Sequence, residues 1–264
     1  MDSFLPLSAS RLKSYLNCPK AFRYRYKDRL PEAFLSIEAF AGRLVHEIIS
    51  EISLRGREGE RPPRLMAVLE ELQRRWADGL RKGQSIRVVR RDHPRKYLAR
   101  ASRALENYYW ANRPFKPVGE EVYEKEILFE LVDDVSVRGF IDKLVVRPNG
   151  DVEIHDYKTG MRRAKKMLPR GLGGDLQSGL YSLGLSTIFP KATITCHWHF
   201  LLYKEEVRAE VTQDQTNEVK ERALELLKEI RSSTWKASPT VLCHWCGFND
   251  RCQEGKRWME KRAL

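Results

Sequence analysis

The sequence predicts an α/β (α+β) fold, in which a central mixed sheet is flanked by helices and preceded by an N-terminal helical lobe. Two observations lead to this prediction. Apolar residues recur at helical spacing over much of the first hundred residues, and from Glu121 onward the pattern changes to the two-residue period of strands. Strand-like and helix-like segments then alternate as far as Arg231, which is the order expected when helices pack on a sheet.

The predicted helical lobe spans residues 1–118. Ser8 or Ser10 can cap a short helix that ends near Cys18-Pro19. A longer helix follows, and its apolar stripe stops before Arg55-Gly56. Two more amphipathic segments, 65–80 and 96–113, complete a lobe that we expect to be all-helical.

The predicted sheet core spans residues 119–232. Segments 122–132, 135–146 and 152–158 alternate with period two, and a Pro148-Asn149-Gly150 turn joins the last two, so we expect an antiparallel meander. A helix over 175–188 should then cross the sheet, and two further strands (193–203 and 207–211) and a helix (213–231) complete the core. Residues 233–264 form a tail rich in Cys and Trp, and we interpret the whole chain, 1–264, as one domain.

The chain is strongly basic, with a formal charge of +12 over 264 residues and a pI near 9.5. This charge favours a polyanionic partner such as nucleic acid, although a solvated basic surface without a ligand has the same composition. Binding through such clusters should weaken steeply with salt, because each neutralised phosphate releases counterions. One cluster, over 81–100, has a single acid, Asp92, among eight basic residues: Arg81, Lys82, Arg87, Arg90, Arg91, Arg95, Lys96 and Arg100.

No segment has the pattern of a membrane span or a secretory leader, since no run of eighteen apolar residues occurs and the start lacks a basic stretch followed by an apolar one. We therefore expect a soluble, cytoplasmic protein with no membrane partner. No G-x4-G-K-[ST] phosphate loop occurs either, so we expect no ATP-driven motor in this chain.

Three residues suggest hydrolytic chemistry. Asp156 and Lys158 are two apart on a predicted strand and should project from one face at its end. Asp142 lies in an apolar stretch of the preceding strand, where a carboxylate without a partner is costly. If the two aspartates converge, Mg²⁺ or Mn²⁺ would relieve their repulsion, and Lys158 could counter charge on a phosphate. The alternative is an exposed Asp-Lys ion pair with Asp142 in an unrelated contact.

His46 lies beside the apolar stripe of its helix, on a flank that also carries Gly42 and Ser50. A single helical histidine is more often structural than a ligand. The significance of His46 comes from a series of motifs along the chain, of which its own is the first. The motifs are Gly42-x-x-x-His46, Gly139-Phe140-Ile141-Asp142, Asp156-Tyr157-Lys158-Thr159-Gly160 and Gln177-x-x-x-Tyr181.

In this order, these motifs resemble those of RecB-like nucleases of the PD-(D/E)XK type. The resemblance implies a restriction-endonuclease-like core and a Mg²⁺ or Mn²⁺ site formed by His46, Asp142, Asp156 and the Tyr157 carbonyl, with Lys158 catalytic. The resemblance also implies that Gln177 and Tyr181 help to position DNA and the active-site strand. Without the resemblance, we would interpret these two residues as part of a capped helix that packs on the core. Our own candidates for contacts with the DNA backbone are Arg162, Arg163, Lys165 and Lys166.

Four of the five cysteines suggest a metal site. Cys243, Cys246 and Cys252 lie within ten positions, a density that core packing seldom produces, and Cys18 lies near the other end of the chain. Four thiolates suit zinc or a [4Fe-4S] cluster equally well. The arrangement is similar to that of iron-sulfur RecB-type nucleases such as AddB and the CRISPR-associated exonucleases, which implies a structural [4Fe-4S] cluster that joins the termini. Cys196 alternates within a strand and is expected to be a buried apolar residue.

Together these features predict a Mg²⁺- or Mn²⁺-dependent deoxyribonuclease, an exonuclease acting on single-stranded DNA or DNA ends. By resemblance it would process CRISPR spacers, with the CRISPR integrase complex as a partner. One alternative is a stand-alone DNA repair or phage exonuclease. Another is a non-catalytic iron-sulfur subunit that binds DNA within a larger complex, against which the intact Asp142, Asp156 and Lys158 argue.

Overall fold

The computed structural model describes residues 4–81, 85–90, 92–161, 164 and 175–262. It contains eight α-helices in these ranges: the six that the sequence predicts lie near their expected positions, and two short ones, Pro19–Phe22 and Gln253–Glu260, were not predicted. Ser8 caps the first helix by accepting a hydrogen bond from Arg11 N at 3.2 Å. The helices are α1 (Ala9–Asn17), α2 (Pro19–Phe22), α3 (Ile37–Arg57), α4 (Leu65–Arg81), α5 (Pro94–Asn112), α6 (Leu176–Ile188), α7 (Gln213–Arg231) and α8 (Gln253–Glu260). The strands are β1 (Leu35–Ser36), β2 (Ile86–Arg87), β3 (Glu120–Val132), β4 (Val135–Val146), β5 (Val152–Lys158), β6 (Ile194–Phe200) and β7 (Glu205–Glu210).

The N-terminal lobe is not all-helical, contrary to the prediction. Its strands β1 and β2 form a two-residue parallel pair, Leu35 with Ile86 and Ser36 with Arg87. Each strand is too short to show a two-residue period, so the sequence pattern could not reveal them. The pair joins the start of α3 to the segment between α4 and α5.

The main sheet has five strands in the order β3-β4-β5-β6-β7. The first three form the predicted antiparallel meander, β6 pairs with β5 in parallel, and β7 pairs with β6 antiparallel. The sheet is therefore mixed, as predicted, and α6 is the crossover that the parallel pair requires. Leu201–Tyr203, predicted as the end of a strand, form a 3-10 helix instead.

Helices cover both faces of this sheet. On one face, Tyr181 and Leu185 of α6 pack against apolar residues of β3 to β7, and α1 and α7 pack beside α6. On the other face, α3, α4 and α5 share a core into which Tyr157 of β5 projects. The mixed α/β class predicted from the sequence is confirmed, and the end of β5 lies between the two helical layers.

The N-terminal helices contact the C-terminal part of the chain. Tyr15 Oη in α1 donates a hydrogen bond to the Glu229 carbonyl in α7, at 3.1 Å. Lys20 Nζ in α2 lies 2.8 Å from a carboxylate oxygen of Glu254 in α8. Within the described ranges, none of the helices combines the length and the apolar character that crossing a membrane demands.

Candidate active site

Asp142 and Asp156 lie opposite each other where β4 and β5 separate. The ladder between these strands runs from Val146 paired with Val152 to Lys143 paired with His155, and the two aspartates are the next residues along. The Tyr157 backbone N–H donates a hydrogen bond to Asp142 Oδ2 at 2.8 Å, which orients this carboxylate towards β5. The structure thus brings the two aspartates together across the hairpin.

Lys158 contacts Asp156 directly, as an ion pair between Nζ and Oδ2. Burial raises the pKa of Asp156, and the charge of Asp142 adds to this rise. Burial acts to lower the pKa of Lys158, but the charges of Asp156, Asp175 and Asp142 outweigh it, so this pKa is raised. Lys158 is therefore held as a cation beside two carboxylates.

His46 of α3 completes this group from the other side of the cleft. Its Nδ1 lies 3.3 Å from Asp142 Oδ1. Burial acts to lower the pKa of His46, whereas the hydrogen bond to Asp142 and the nearby acidic charges raise it. At Gly42, one turn earlier, a Cβ would lie 3.0 Å from Thr159 Oγ1, so the loop after β5 passes close to the flank of small residues.

Glu124 of β3 also belongs to this site, and the sequence analysis missed it. One ligand atom from each of His46, Glu124 and Asp142 lies within 4.8 Å of the others. Glu124 has a φ of 49°, in the left-handed region that non-glycine residues rarely adopt and that recurs at functional sites. Burial and the charge of Asp142 raise the pKa of Glu124. Two carboxylates and an imidazole are ligands that suit Mg²⁺ or Mn²⁺.

The strands are irregular at the level of Asp142. Ile141 and Leu144 pack in the same apolar cluster with α6, although residues three apart on a regular strand face opposite sides. On the neighbouring strand, Glu124 lies at the same level and has the positive φ. This irregularity lets Asp142 face His46 of α3 while Ile141 stays in the core.

Tyr181 and Gln177 lie on the same side of α6, but their surroundings differ. Tyr181 is buried, and its hydroxyl accepts a hydrogen bond from Phe140 N at 3.3 Å. Gln177 Oε1 accepts a hydrogen bond from Lys13 Nζ at 3.4 Å, and the same lysine pairs with Asp175 at 3.1 Å. The structure thus places Tyr181 against the active-site strand β4, and Gln177 near the start of α6. Asp175, the N-cap of α6, was not among the predicted residues.

Gly139 is required by the close approach of Tyr181. A Cβ at this position would lie 2.3 Å from Tyr181 Cε1. We expect Gly139→Ala to lower the free energy of unfolding by about 1–3 kcal/mol, because the buried ring has to move. Urea unfolding measures the change, with Gly160→Ala as control because a Cβ there meets nothing within 4 Å. Equal stability of the two variants would contradict this account.

The structure describes part of the basic residues, and some of these have partners within the chain. Arg162, Arg163, Lys165 and Lys166 lie outside the described residues. Of the 81–100 cluster, Lys96 pairs with Asp92 at 2.7 Å, and the Arg87 guanidinium lies 4.0 Å from the centre of the Phe34 ring. Arg100 lines a cavity with Gly42 and Thr159, so it lies close to the loop that follows Lys158.

The four predicted ligand cysteines line one cavity of about 410 Å³: Cys18, Cys243, Cys246 and Cys252. Backbone N–H groups of Ser238 and Gly255 donate to the sulfurs of Cys18 and Cys252, each at 3.4 Å. No three sulfurs lie within 4.8 Å of one another in the described part of the chain. Cys196 is buried in the sheet core, well away from this cavity.

Comparisons with known proteins bear on the fold and the family of the chain. No curated protein sequence matches the chain. Among solved structures, a candidate exonuclease from Eubacterium rectale has a TM-score of 0.53 at 13% identity, over 98% of this chain and 93% of that one. The structure of SSO0001 has a TM-score of 0.43 at 13% identity, over 95% of this chain and 86% of that one. A family model described as the PD-(D/E)XK nuclease superfamily matches residues 6–253, nearly the whole chain, and the protein therefore belongs to this superfamily.

Proposed function

We propose that this protein is a Mg²⁺- or Mn²⁺-dependent deoxyribonuclease that acts as an exonuclease on single-stranded DNA or DNA ends. The observation that carries the proposal is the convergence of Asp142, Asp156 and Lys158 where β4 and β5 separate, with His46 opposite. The reaction is hydrolysis of a phosphodiester bond, in which water attacks phosphorus and the P–O bond to the leaving strand breaks.

The residues present fit a hard divalent cation. Asp142 and Asp156 are half-buried acids whose repulsion a cation would relieve, and His46 and Glu124 supply further ligand atoms close to Asp142. By resemblance the Tyr157 carbonyl is another ligand. When bound, the cation supplies Lewis-acid catalysis at the phosphate. One carboxylate oxygen of Asp142 accepts a hydrogen bond from the Tyr157 N–H, and the other oxygen faces His46. These two contacts orient the carboxylate for binding a cation.

Lys158 is the proposed catalytic cation. Its ammonium is held in its charged form by Asp156 and Asp175, and it lies at the end of β5, where the strand leaves the core. A fixed positive charge at this place stabilises the negative charge that develops on the phosphoryl oxygens. Arg100, near the loop after Lys158, and Gln177, at the start of α6, are proposed contacts with DNA on either side.

Cleavage of labelled single-stranded DNA tests this function. We expect wild type to cleave with Mg²⁺ or Mn²⁺ and not with EDTA, and Lys158→Ala to be slower by about a hundredfold or more. The exposed Lys191, in the turn after α6, gives the control variant Lys191→Ala. Substrates blocked at the 5′ or 3′ end report polarity and separate exonuclease from endonuclease action. Equal, contaminant-level cleavage by all three proteins would favour the non-catalytic DNA-binding subunit.

We also propose that the four-cysteine cavity binds a structural [4Fe-4S] cluster. A single zinc ion holds four sulfurs about 3.8 Å apart at a Zn–S distance of ~2.3 Å, and four thiolates suit it too, so the preference for a cluster rests on the resemblance to four-cysteine iron-sulfur nucleases. A cubane cluster holds its thiolates farther apart and suits the cavity of about 410 Å³. The N–H donors to Cys18 and Cys252 are the kind that stabilise cluster sulfurs.

The proposed pathway is CRISPR spacer processing in the cytoplasm, beside the integrase complex. Its support is the resemblance to the four-cysteine CRISPR-associated exonucleases, together with the absence of a phosphate-loop motif from the sequence. A stand-alone repair or phage exonuclease is the alternative. Genes for a CRISPR integrase next to the gene for this protein would support the first pathway, and replication or repair genes there would support the second.

A further inference from the structure

Three histidines meet on the sheet face opposite α6. His155 of β5 is in register with His197 of β6, and His199 follows two residues later. Their neighbours Ile154, Cys196 and Trp198 pack in the cluster with α6, so the imidazoles project to the other side of the sheet. The rings lie close: the centres of His155 and His197 are 4.5 Å apart, and those of His155 and His199 are 5.1 Å apart.

The ring nitrogens converge. One nitrogen from each histidine lies within 4.8 Å of one nitrogen of each of the other two. His155 Nδ1 and His199 Nε2 face each other at 2.8 Å. This group is separate from the proposed catalytic ligands, because Asp156 and Lys158 follow the other face of β5.

Carboxylates bind the ring nitrogens that point outward. Glu153 Oε2 lies 3.2 Å from His155 Nε2, and Glu206 Oε1 lies 2.8 Å from His197 Nδ1. Arg147 and Arg208 in turn hold these two carboxylates, each with a contact of 2.8 Å. A carboxylate on the outer nitrogen fixes the tautomer with the lone pair on the inner nitrogen, which is the usual arrangement around a metal-binding histidine. On His155 this inner lone pair accepts a hydrogen bond from His199 Nε2, which a bound metal ion would replace.

Imidazole binds transition metals through the lone pair of its neutral form. Neutral imidazoles favour zinc, nickel, cobalt or copper over Mg²⁺. At a Zn–N distance of ~2.0–2.1 Å, tetrahedral ligands lie about 3.4 Å apart, so the 2.8 Å pair needs to open by only about half an ångström.

We propose that His155, His197 and His199 form a second metal site, which binds one divalent transition-metal ion such as Zn²⁺. His199 and Glu206 line a cavity of about 340 Å³, which gives the fourth coordination position access to solvent. The ion would join β5 to β6 next to Asp156. It would thereby fix β5 from the face opposite Asp156 and Lys158, in a structural rather than a catalytic role.

Zn²⁺ titration by calorimetry tests the site. The background protein is anaerobically purified full-length chain with its cysteine site loaded, carrying Asp142→Asn and Asp156→Asn to remove the catalytic ligands. We expect this background protein to bind one equivalent of Zn²⁺. We expect that binding to be lost when His197→Gln and His199→Gln are added to it. His93→Asn is the control, because His93 is an exposed helix cap and asparagine can keep that role. No binding by the background protein, or equal binding by both proteins, would overturn the proposal.

A milder variant covers the case in which the double histidine variant does not fold. Glu206→Gln keeps all three imidazoles but removes the acceptor charge from His197. We expect its dissociation constant for Zn²⁺ to rise by about 10- to 100-fold. Co²⁺ gives an independent measurement, since three imidazoles should produce visible d–d absorption without the thiolate charge-transfer band of a cysteine site. An unchanged dissociation constant, or a spectrum with thiolate bands alone, would count against the site.

Discussion

Replacing Asp142 by asparagine is expected to lower the rate of metal-dependent DNA cleavage by about a thousandfold or more. The amide keeps the size of the side chain and one oxygen for the Tyr157 N–H. It removes the charge that faces His46 and lies next to Glu124 and Asp156. Without this charge the site would bind a divalent cation only weakly. The phosphate would then lack the Lewis acid that the cation supplies. Initial rates on labelled single-stranded DNA, over a range of Mn²⁺ concentrations, measure the effect.

Asp133→Asn is the matched control, since Asp133 is an exposed aspartate in the turn between β3 and β4. DNA binding by both variants in the absence of metal should stay within a few-fold of wild type. Urea unfolding should show that Asp142→Asn is folded, because Asp142 lies at the end of a ladder and not in the core. Cleavage by Asp142→Asn at the rate of the control would refute the proposed metal site.

The second large effect concerns the cysteine cavity. We expect Cys18→Ser to lose iron and acid-labile sulfide and to lower the melting temperature by roughly 10 °C or more. Cys18 lies between α1 and α2, whereas the other three proposed ligands belong to the tail, so the proposed cluster would link distant segments covalently. Its loss leaves the Lys20–Glu254 ion pair as a weaker contact between the same segments.

Cys196→Ala is the control, since Cys196 is buried in the sheet core and should leave the iron content unchanged. Iron and sulfide are measured on protein purified without oxygen, and melting is followed by circular dichroism. One equivalent of zinc in wild type, with no iron or sulfide, would replace the iron-sulfur assignment by a zinc site. Equal iron in wild type and Cys18→Ser would exclude Cys18 as a ligand.

Much of the architecture could be predicted because local patterns determine it. The apolar stripe of α3, the Ser8 cap and the Asn149-Gly150 turn are signals carried by a few neighbouring residues. Asp156 and Lys158 are also predicted from a local pattern, since residues that are two apart on a strand project from the same face. The turn also fixed the register that sets Asp142 opposite Asp156.

Glu124 could not be found by the same reasoning, because a β-bulge intervenes. The turn between β3 and β4 pairs Val132 with Val135, and a regular ladder from there would place Lys125 opposite Asp142. The register shifts by one between Glu130 and Val132, so that Glu124 takes this place instead. A shift of one residue exchanges an ammonium for a carboxylate beside the candidate metal site.

The burial of Tyr181 also depends on tertiary structure. Helical spacing places Tyr181 and Gln177 on one side of α6, but it cannot show that Tyr181 packs on the bare backbone of Gly139. Likewise, the three histidines look like ordinary strand residues until the parallel pairing of β5 with β6 brings them together.

The pairing of the first helices with the last part of the chain has a consequence for biosynthesis. Residues near the N terminus leave the ribosome first, yet Tyr15 has its partner Glu229 in α7, and Cys18 faces cysteines from 243 to 252. During translation, Leu7 can pair with β4 when the middle of the chain has emerged, but the contacts of Tyr15 and Cys18 form only after α7 and the segment 243–252 have been synthesised. These long-range contacts are therefore late steps of folding, and insertion of the proposed cluster would have to follow them.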